Sequence, residues 1–445
     1  MLDKIKISLV SVLLLSSVSN ASGFKSNSMG GITTTIKDTN AIFNNPSNIS
    51  KKHDGMETYI KGEVKDNDLI NNLDNLVDLK IQDNVDKIIQ NIEDEVNANP
   101  ALLTQDDIQG SNTYDTRNNI SEVQKILRQL NENSFILDTD SGVSFSLNSF
   151  SFGVKNTTTF ISTVELNPNR TDLSVTFNVD GEDYYYIYNP ETDVYSKITE
   201  SEYNEGSLAK ALDDNDIYSK NYIESLTEIP IGYVYTKPLN FKYDNFNGDL
   251  NIGGAVKFMY MNLEKVNLLL DEEITSDSFT SGFDNDYNFG IDMGVSYDFS
   301  NFPLYITLTG KNLNSPKFVF NKYNETIKRD LELKYGMSYS FFNKLITLHN
   351  EIDLTENYTN YSYDKKLRNL KFGLEIEPTN WVSLNTGFRT DLNNNVNNTY
   401  SAGISFGFKW FQFGISAETT SETYDYSGTT IPRQFSVGLN LISKW

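Results

Sequence analysis

From Tyr287 to the end of the chain, apolar and polar side chains trade places at every second position, and no other feature limits the possible folds so sharply. Tyr287, Phe289, Ile291, Met293, Val295 and Tyr297 share one parity, and Asn288, Gly290, Asp292, Gly294, Ser296 and Asp298 share the other. The pattern returns in Leu370, Phe372, Leu374 and Ile376, then in Ala402, Ile404, Phe406 and Phe408. It closes in Phe435, Val437, Leu439 and Leu441, with Trp445 ending the chain on the same parity. A period of two means a strand with one apolar and one polar face. These segments run to ~9–11 residues, as a tilted membrane strand requires, whereas strands of soluble proteins center on ~5–6. Their connections alternate between very short ones (Pro378 to Asn380, Lys409 to Trp410) and long polar ones (Asp391 to Asn398, Glu418 to Ile431). Short turns at one rim and long loops at the other are the signature of a membrane barrel. The expected fold is therefore an all-β membrane protein, a single transmembrane antiparallel β-barrel of about 14 strands with an N-terminal segment ahead of it and a small helical insert.

Composition agrees with that reading. The mean hydropathy of −0.43 and the 38% hydrophobic content are low, as they are when only every second residue faces lipid. The aromatic content of 13% supplies residues for two interfacial girdles. Sixty acidic against 37 basic residues, a net charge of −23, argue against a nucleic-acid partner and point to acidic exposed loops. With no cysteine there is no disulfide, thiolate metal site or cysteine nucleophile.

Residues 1–21 read as a secretory signal peptide: Lys4 and Lys6, the apolar core Ile7 to Leu15, then Ser19-Asn20-Ala21 before the cut. Residues 22–55 read as an irregular segment containing the Met29-Gly30-Gly31 turn and the Asn45-Pro46-Ser47 turn. A first strand spans 56–64. In 65–131 the period shifts to that of helices, through Leu69, Leu73, Leu76 and Val77 and through Val85, Ile88, Ile89, Ile92 and Val96. Ser121 with Gln124 reads as a capping box opening a last helix. The barrel proper is expected over 142–445, with a long extracellular excursion at 167–225 that holds an Asp180-Gly181 hairpin turn.

Catalytic signals are thin. His349, Glu351 and Asp353 share the lumen parity of one strand and form a candidate polar cluster. Neither neighboring position of that parity offers a serine, so the cluster reads as hydrogen-bonded lumen wall. Gly403 to Gly407 matches Gly-x-Ser-x-Gly, but on a strand rather than a strand-turn-helix elbow. Asp284 to Gly290 lacks the spacing and the bidentate Glu of a calcium loop. No catalytic residue, metal site or cofactor is expected.

Several short stretches carry a resemblance. An acidic residue, Ala41-Ile42-Phe43, then Asn45-Pro46-Ser47 just past a signal peptide is similar to the start of the long-chain fatty-acid transporter family of barrels. In that family the segment is a hatch folded into the lumen, with Ala where this chain has Ser47. Lys311, Asn312, Leu313 and Pro316, together with Glu351 to Thr355 and Asn131 to Phe135, resemble a related branch, the outer-membrane TraF-type conjugal transfer family. The final strand, with Phe435, Leu441 and Trp445, resembles the closing strand that serves such barrels as an assembly signal. The resemblance implies a non-enzymatic protein in the outer membrane of a Gram-negative bacterium. Its implied partners are outer-membrane lipid, the barrel assembly machinery, and secretion or conjugation proteins. The alternatives are a passive channel for a hydrophobic ligand and a soluble periplasmic or surface-adhesive β protein.

Overall fold

The computed structural model describes residues 23–49, 54–79, 81–179, 181–214, 216–243, 246–269, 282–358, 366–379, 381–408, 410–426 and 429–444. The signal-peptide reading of residues 1–21 and the terminal Trp445 therefore lie outside the described residues.

In chain order the strands are β1 Gly55–Asn67, β2 Asp107–Gln109, β3 Ser134–Leu147, β4 Phe150–Glu165, β5 Ser174–Val179, β6 Glu182–Asn189, β7 Val194–Ile198, β8 Tyr218–Leu239 and β9 Gly248–Leu269. They continue as β10 Asp284–Phe299, β11 Leu304–Lys311, β12 Lys317–Phe320, β13 Glu325–Lys328, β14 Glu332–Phe341, β15 Ile346–Asp353, β16 Asn357–Tyr358 and β17 Lys366–Leu367. The last are β18 Asn369–Thr379, β19 Val382–Asp391, β20 Thr399–Phe408, β21 Phe411–Thr420, β22 Thr423–Tyr426, β23 Thr429–Pro432 and β24 Gln434–Lys444. Fourteen of them form one closed barrel in the order β1-β24-β21-β20-β19-β18-β15-β14-β11-β10-β9-β8-β4-β3, every pair antiparallel. The seam between the first and last strands runs from Gly55 opposite Lys444 to Lys65 opposite Gln434.

The barrel is apolar on the outside. Phe289, Met293, Phe372, Ile404, Phe406, Phe435, Val437, Leu439 and Leu441 are all exposed, while their lumen-parity neighbors Asp292, Ser296, Ser405, Ser436 and Asn440 are buried. This is a water-soluble protein turned inside out, which only lipid can satisfy. Tyr233, Phe342, Trp381, Phe408 and Trp410 make an exposed aromatic belt near the rim where β1 begins and β24 ends. Tyr287, Tyr400 and Phe435 begin a second belt near the opposite rim. Tyr400 and Phe408 lie at the two belts on one strand; their separation is about 26 Å of strand, or about 20 Å of bilayer at a ~40° tilt.

At the far rim the chain makes a head from two excursions. The first holds helices Leu69–Asp78, Ile81–Ala98 and Tyr114–Gln129; the second holds β5 to β7 and helices Glu200–Gly206 and Leu208–Asp213. The two are joined by sheet, because β2 of the first pairs with β7 of the second. The head has its own core of Ile88, Ile92, Val96, Ile120, Tyr186, Tyr188 and Tyr195. A second core joins it to the barrel, packing Leu69, Leu76, Val123 and Ile126 on Phe135, Leu137, Phe160 and Val164 of β3 and β4. Residues 69–132 and 166–217 carry 24 acidic and 8 basic residues, a net −16 of the chain's −23.

The structure moves four boundaries. β1 runs over 55–67 rather than 56–64. β3 starts at Ser134, so the barrel begins before 142; Phe135 to Thr139 are all buried, because the head covers the face that would otherwise alternate. The excursion predicted over 167–225 ends at Ile217, since β8 already pairs with β9 at Tyr218. These first turns of β8 rise above the membrane, where lipid no longer imposes a period of two. Ser121 and Gln124 lie inside a helix that starts seven residues earlier; its N-cap is Thr113, whose hydroxyl accepts from Thr116 N at 3.3 Å.

Candidate functional site

The lumen is filled by residues 23–49, which cross it as an irregular stopper with helices at Phe24–Ser28 and Ala41–Asn44. So much buried irregular backbone needs a wall that supplies hydrogen bonds. Glu351 of β15 supplies three: its Oε2 accepts from Thr33 N (2.7 Å), Thr34 N (2.7 Å) and Thr33 Oγ1 (3.1 Å). Lys371 of β18 pairs with Glu351 at 2.7 Å and donates to Gly31 O at 2.9 Å. Ser401 accepts from Gly30 N at 2.7 Å, where Gly30 and Gly31 sit at φ +69° and +77°, conformations that favor glycine. Toward the terminal rim, Lys25 pairs with Glu375 and, at 3.0 Å, with Glu377; Lys37 pairs with Asp298 at 2.6 Å.

Asn45, Pro46 and Ser47 form the tightest knot. The Asn45 amide donates to Thr34 O (2.9 Å) and to Thr307 Oγ1 of β11 (2.8 Å), and its Oδ1 accepts from Ser47 N and Oγ. Pro46 opens a single 3-10 turn that Asn45 caps. Asn48 then ties back to Thr34 O and Ile36 O, and Tyr305 donates to its Oδ1.

The wall yields space where the stopper touches it. A Cβ at Gly253 would strike Pro46 backbone, at Gly294 the Asn45 side chain, at Gly336 Thr34, and at Gly387 the backbone of Met29 and Gly30. Glycine weakens a strand interior and is found there when another backbone comes close. These glycines are the functional residues that sequence reading missed. Their recurrence on the lumen parity of strand after strand was the available signal, but nothing in the sequence named what pressed against them.

The predicted cluster divides. His349 Nδ1 lies 2.9 Å from Thr35 Oγ1, and its Nε2 lies 3.5 Å from Glu375. The sequence Thr-His-Glu resembles a nucleophile, base and orienting acid, yet Thr35 is 3% and His349 6% exposed, and none of the three borders a cavity described below. They fasten the stopper. Asp353 is not part of the group: it accepts from Asn369 N and Nδ2 and holds the start of β18. Lys311 faces the lumen; Asn312 (φ +53°) and Leu313 turn the chain back, donating to Asp292 Oδ1 and Ile291 O, and Pro316 accepts from Arg329 N. Asp284 and Asp286 accept from Lys322 N and Val319 N and so brace the β12–β13 hairpin. Among the described residues no group of His, Asp and Glu could hold a metal ion.

Above the stopper is a cavity of about 300 Å³ walled by Lys61, Glu63, Asp138, Asp140, Lys155, Glu228, Lys257, Lys311, Glu332, Arg389 and Glu418. The charges are paired: Lys61–Glu63 at 2.7 Å, Lys155–Asp140 at 3.1 Å, Lys257–Glu228 at 2.7 Å and Arg389–Glu418 at 2.6 Å. Arg389 also borders a polar cleft of about 610 Å³ at the mouth, lined by Asn131, Asn133, Asn369, Asn394, Asn395 and Asn397 among others. Below the stopper a cavity of about 300 Å³ is walled by Lys25, Asp38, Glu57, Glu377, Gln412 and Lys444. An apolar patch of the lumen wall, Leu226, Met259, Met261 and Leu263, packs against Phe318 and Phe320 of the β12–β13 hairpin, with Leu226 and Met259 still bordering the upper cavity.

A family model described as "F plasmid transfer operon, TraF, protein" matches residues 42–417. No curated protein matches the chain in sequence. Among solved structures, a mutant of the TodX monoaromatic hydrocarbon channel lacking S2 and S3 is 9% identical, covering 96% of this chain and 99% of its own at a TM-score of 0.48. The toluene transporter TbuX of Ralstonia pickettii is 10% identical with the same coverages and a TM-score of 0.45. The toluene transporter TodX of P. putida is 9% identical with the same coverages, at 0.44.

Proposed function

Because the chain belongs to the TraF family of the F plasmid transfer operon, we propose that it is a non-enzymatic outer-membrane barrel that assists conjugal transfer or secretion by engaging another protein through its head. The observation that carries this reading is the head itself. Two separate excursions pair their strands and share a core, so the chain invests a quarter of its length in a folded body outside the bilayer. Its net charge of −16 selects the partner's chemistry: a cationic protein surface is attracted, and the phosphate backbone of nucleic acid is repelled. The rim where β1 begins and β24 ends would face the periplasm and the head would face outward, as short turns and long loops distribute in such barrels.

A channel for hydrophobic molecules needs an apolar pocket beneath the hatch, and the cavities on both sides of the stopper are lined mainly by charged and polar groups. A soluble β protein would not leave Phe372, Phe406 and Phe408 on its outside.

The test replaces residues 69–132 and 166–217 by short turns and measures plasmid transfer frequency. Barrel closure is checked by comparing gel mobility of heated and unheated outer-membrane extracts. Loss of transfer with a closed barrel is expected; undiminished transfer refutes the proposal.

A further inference from the structure

We infer that the barrel encloses an axial path for small hydrophilic solutes of either charge, closed by residues 23–49. The inference is independent of what the head binds. It rests first on the lumen wall above the stopper, where adjacent strands place opposite charges directly across from each other: Lys61 against Asp140, Lys155 against Glu228, Lys311 against Glu332. A wall of paired charges holds water and offers partners to an anion, a cation or a zwitterion, whereas an apolar solute finds only Leu226 and Met259 there, too little to offset dehydration of the charged wall.

It rests second on what fills the lumen between the cavities. At that level the wall turns to glycine at Gly253, Gly294, Gly336 and Gly387, so the space belongs to the stopper and not to wall side chains. Withdrawing the segment would empty the space it fills and leave a gap continuous with the polar cavity above and the polar cavity below. The stopper's polar contacts with the wall are hydrogen bonds and ion pairs, which water can replace; its apolar contacts, Ile42 and Phe43 against Tyr59, Val234 and Ala255, are what hold it shut at rest. Phe24 and Lys25 border the lower cavity, so the segment can be drawn out at the rim where β1 begins and β24 ends.

The experiment reconstitutes the mature chain, and a variant lacking residues 24–49, in planar bilayers with potassium chloride and in liposomes loaded for swelling with arabinose and glycine. Stepwise current and swelling are expected from the shortened chain and not from the intact one. The reversal potential in a salt gradient should lie near zero and shift toward cation selectivity when Lys155→Glu and Lys311→Glu are added. A shortened chain that is heat-modifiable yet silent, or one whose selectivity ignores both substitutions, overturns the inference. Should the shortened chain fail to close, full-length Glu351→Ala and Gly387→Val provide the test: brief openings are expected, and closed barrels without them overturn it equally. Plasmid transfer reports on the head separately, so either reading can fail alone.

Discussion

Replacing Glu351 by alanine should unseat the stopper while leaving the barrel closed. The carboxylate accepts two backbone N–H groups at 2.7 Å and one hydroxyl at 3.1 Å from Thr33 and Thr34. Hydrogen bonds to a charged group contribute about 1.5–3 kcal/mol each. Three of them would give more than 4 kcal/mol, but the values are not additive and lumen water can reach the freed N–H groups. A net loss of about 3 kcal/mol follows, a roughly hundredfold rise in the unseated population. Lys371 keeps its bond to Gly31 O but loses its counter-ion, which adds to the loss. Hydrogen exchange followed by mass spectrometry reads this directly: peptides from 24–49 should exchange roughly a hundredfold faster, and barrel-strand peptides at an unchanged rate. Glu351→Gln, which keeps the volume and one acceptor, should fall between. Unchanged protection of 24–49 in a heat-modifiable barrel would refute the assignment of Glu351 as the main anchor.

Gly387→Val places a branched side chain where the backbone of Met29 and Gly30 now lies, so limited proteolysis should cut within 24–49 in the variant and spare the parent. Ile404→Arg sets a charge on the lipid face midway between the two belts and should cost about 2–4 kcal/mol, read as lost heat-modifiable folding; a variant that assembles normally would contradict the membrane-facing parity. Arg170→Ala removes a guanidinium that bridges Asp214 (2.7 Å) and Asp216 and should loosen the second excursion, seen as faster exchange there with unchanged barrel closure. Burial pushes the phenol of Tyr195 up, and burial together with the Asp193 carboxylate does so for Tyr188. Neutral phenols are therefore favored in the folded head, and their contribution is complete below the unfolded value of ~10 and lost as pH rises above it. Near-ultraviolet circular dichroism should show the head melting in alkali more readily in the parent than in Tyr188→Phe with Tyr195→Phe.

The sequence makes the barrel legible where one face meets lipid and the other meets the lumen. β10, β20 and β24 obey that condition over their full length, and their alternation is nearly perfect. β3 between Ser134 and Ser141, and the first turns of β8, do not: the head covers one and the other stands clear of the bilayer, so two faces that differ in sequence elsewhere become alike. Long-range pairing is the second limit. His349 and Glu351 are readable as lumen-facing, but their partners Thr35, Thr33 and Thr34 lie more than three hundred positions away. The Asn45-Pro46-Ser47 turn is readable as a turn, and its contact with Thr307 is not. The capping error has a local cause, since Thr113 opens its helix with no Glu or Gln at the third position to mark it.

The charge of −23 looks like one property of the chain, and the structure divides it in two. Within the lumen, charges on the wall are paired across the strand or along it, as Asp140 faces Lys155 and Glu418 faces Arg389. A confined lumen favors that pairing, because a charge left there without a partner and stripped of water would cost several kcal/mol. In the head the excess is left unpaired, at 24 acidic to 8 basic residues, where bulk water and salt screen it within a Debye length of about 8 Å. Self-repulsion of that kind destabilizes a small folded body, and the oppositely charged partner surface proposed above would offset it. Raising salt should then weaken head-dependent association steeply while leaving the ion pairs of the lumen, and the closure of the barrel, unaffected.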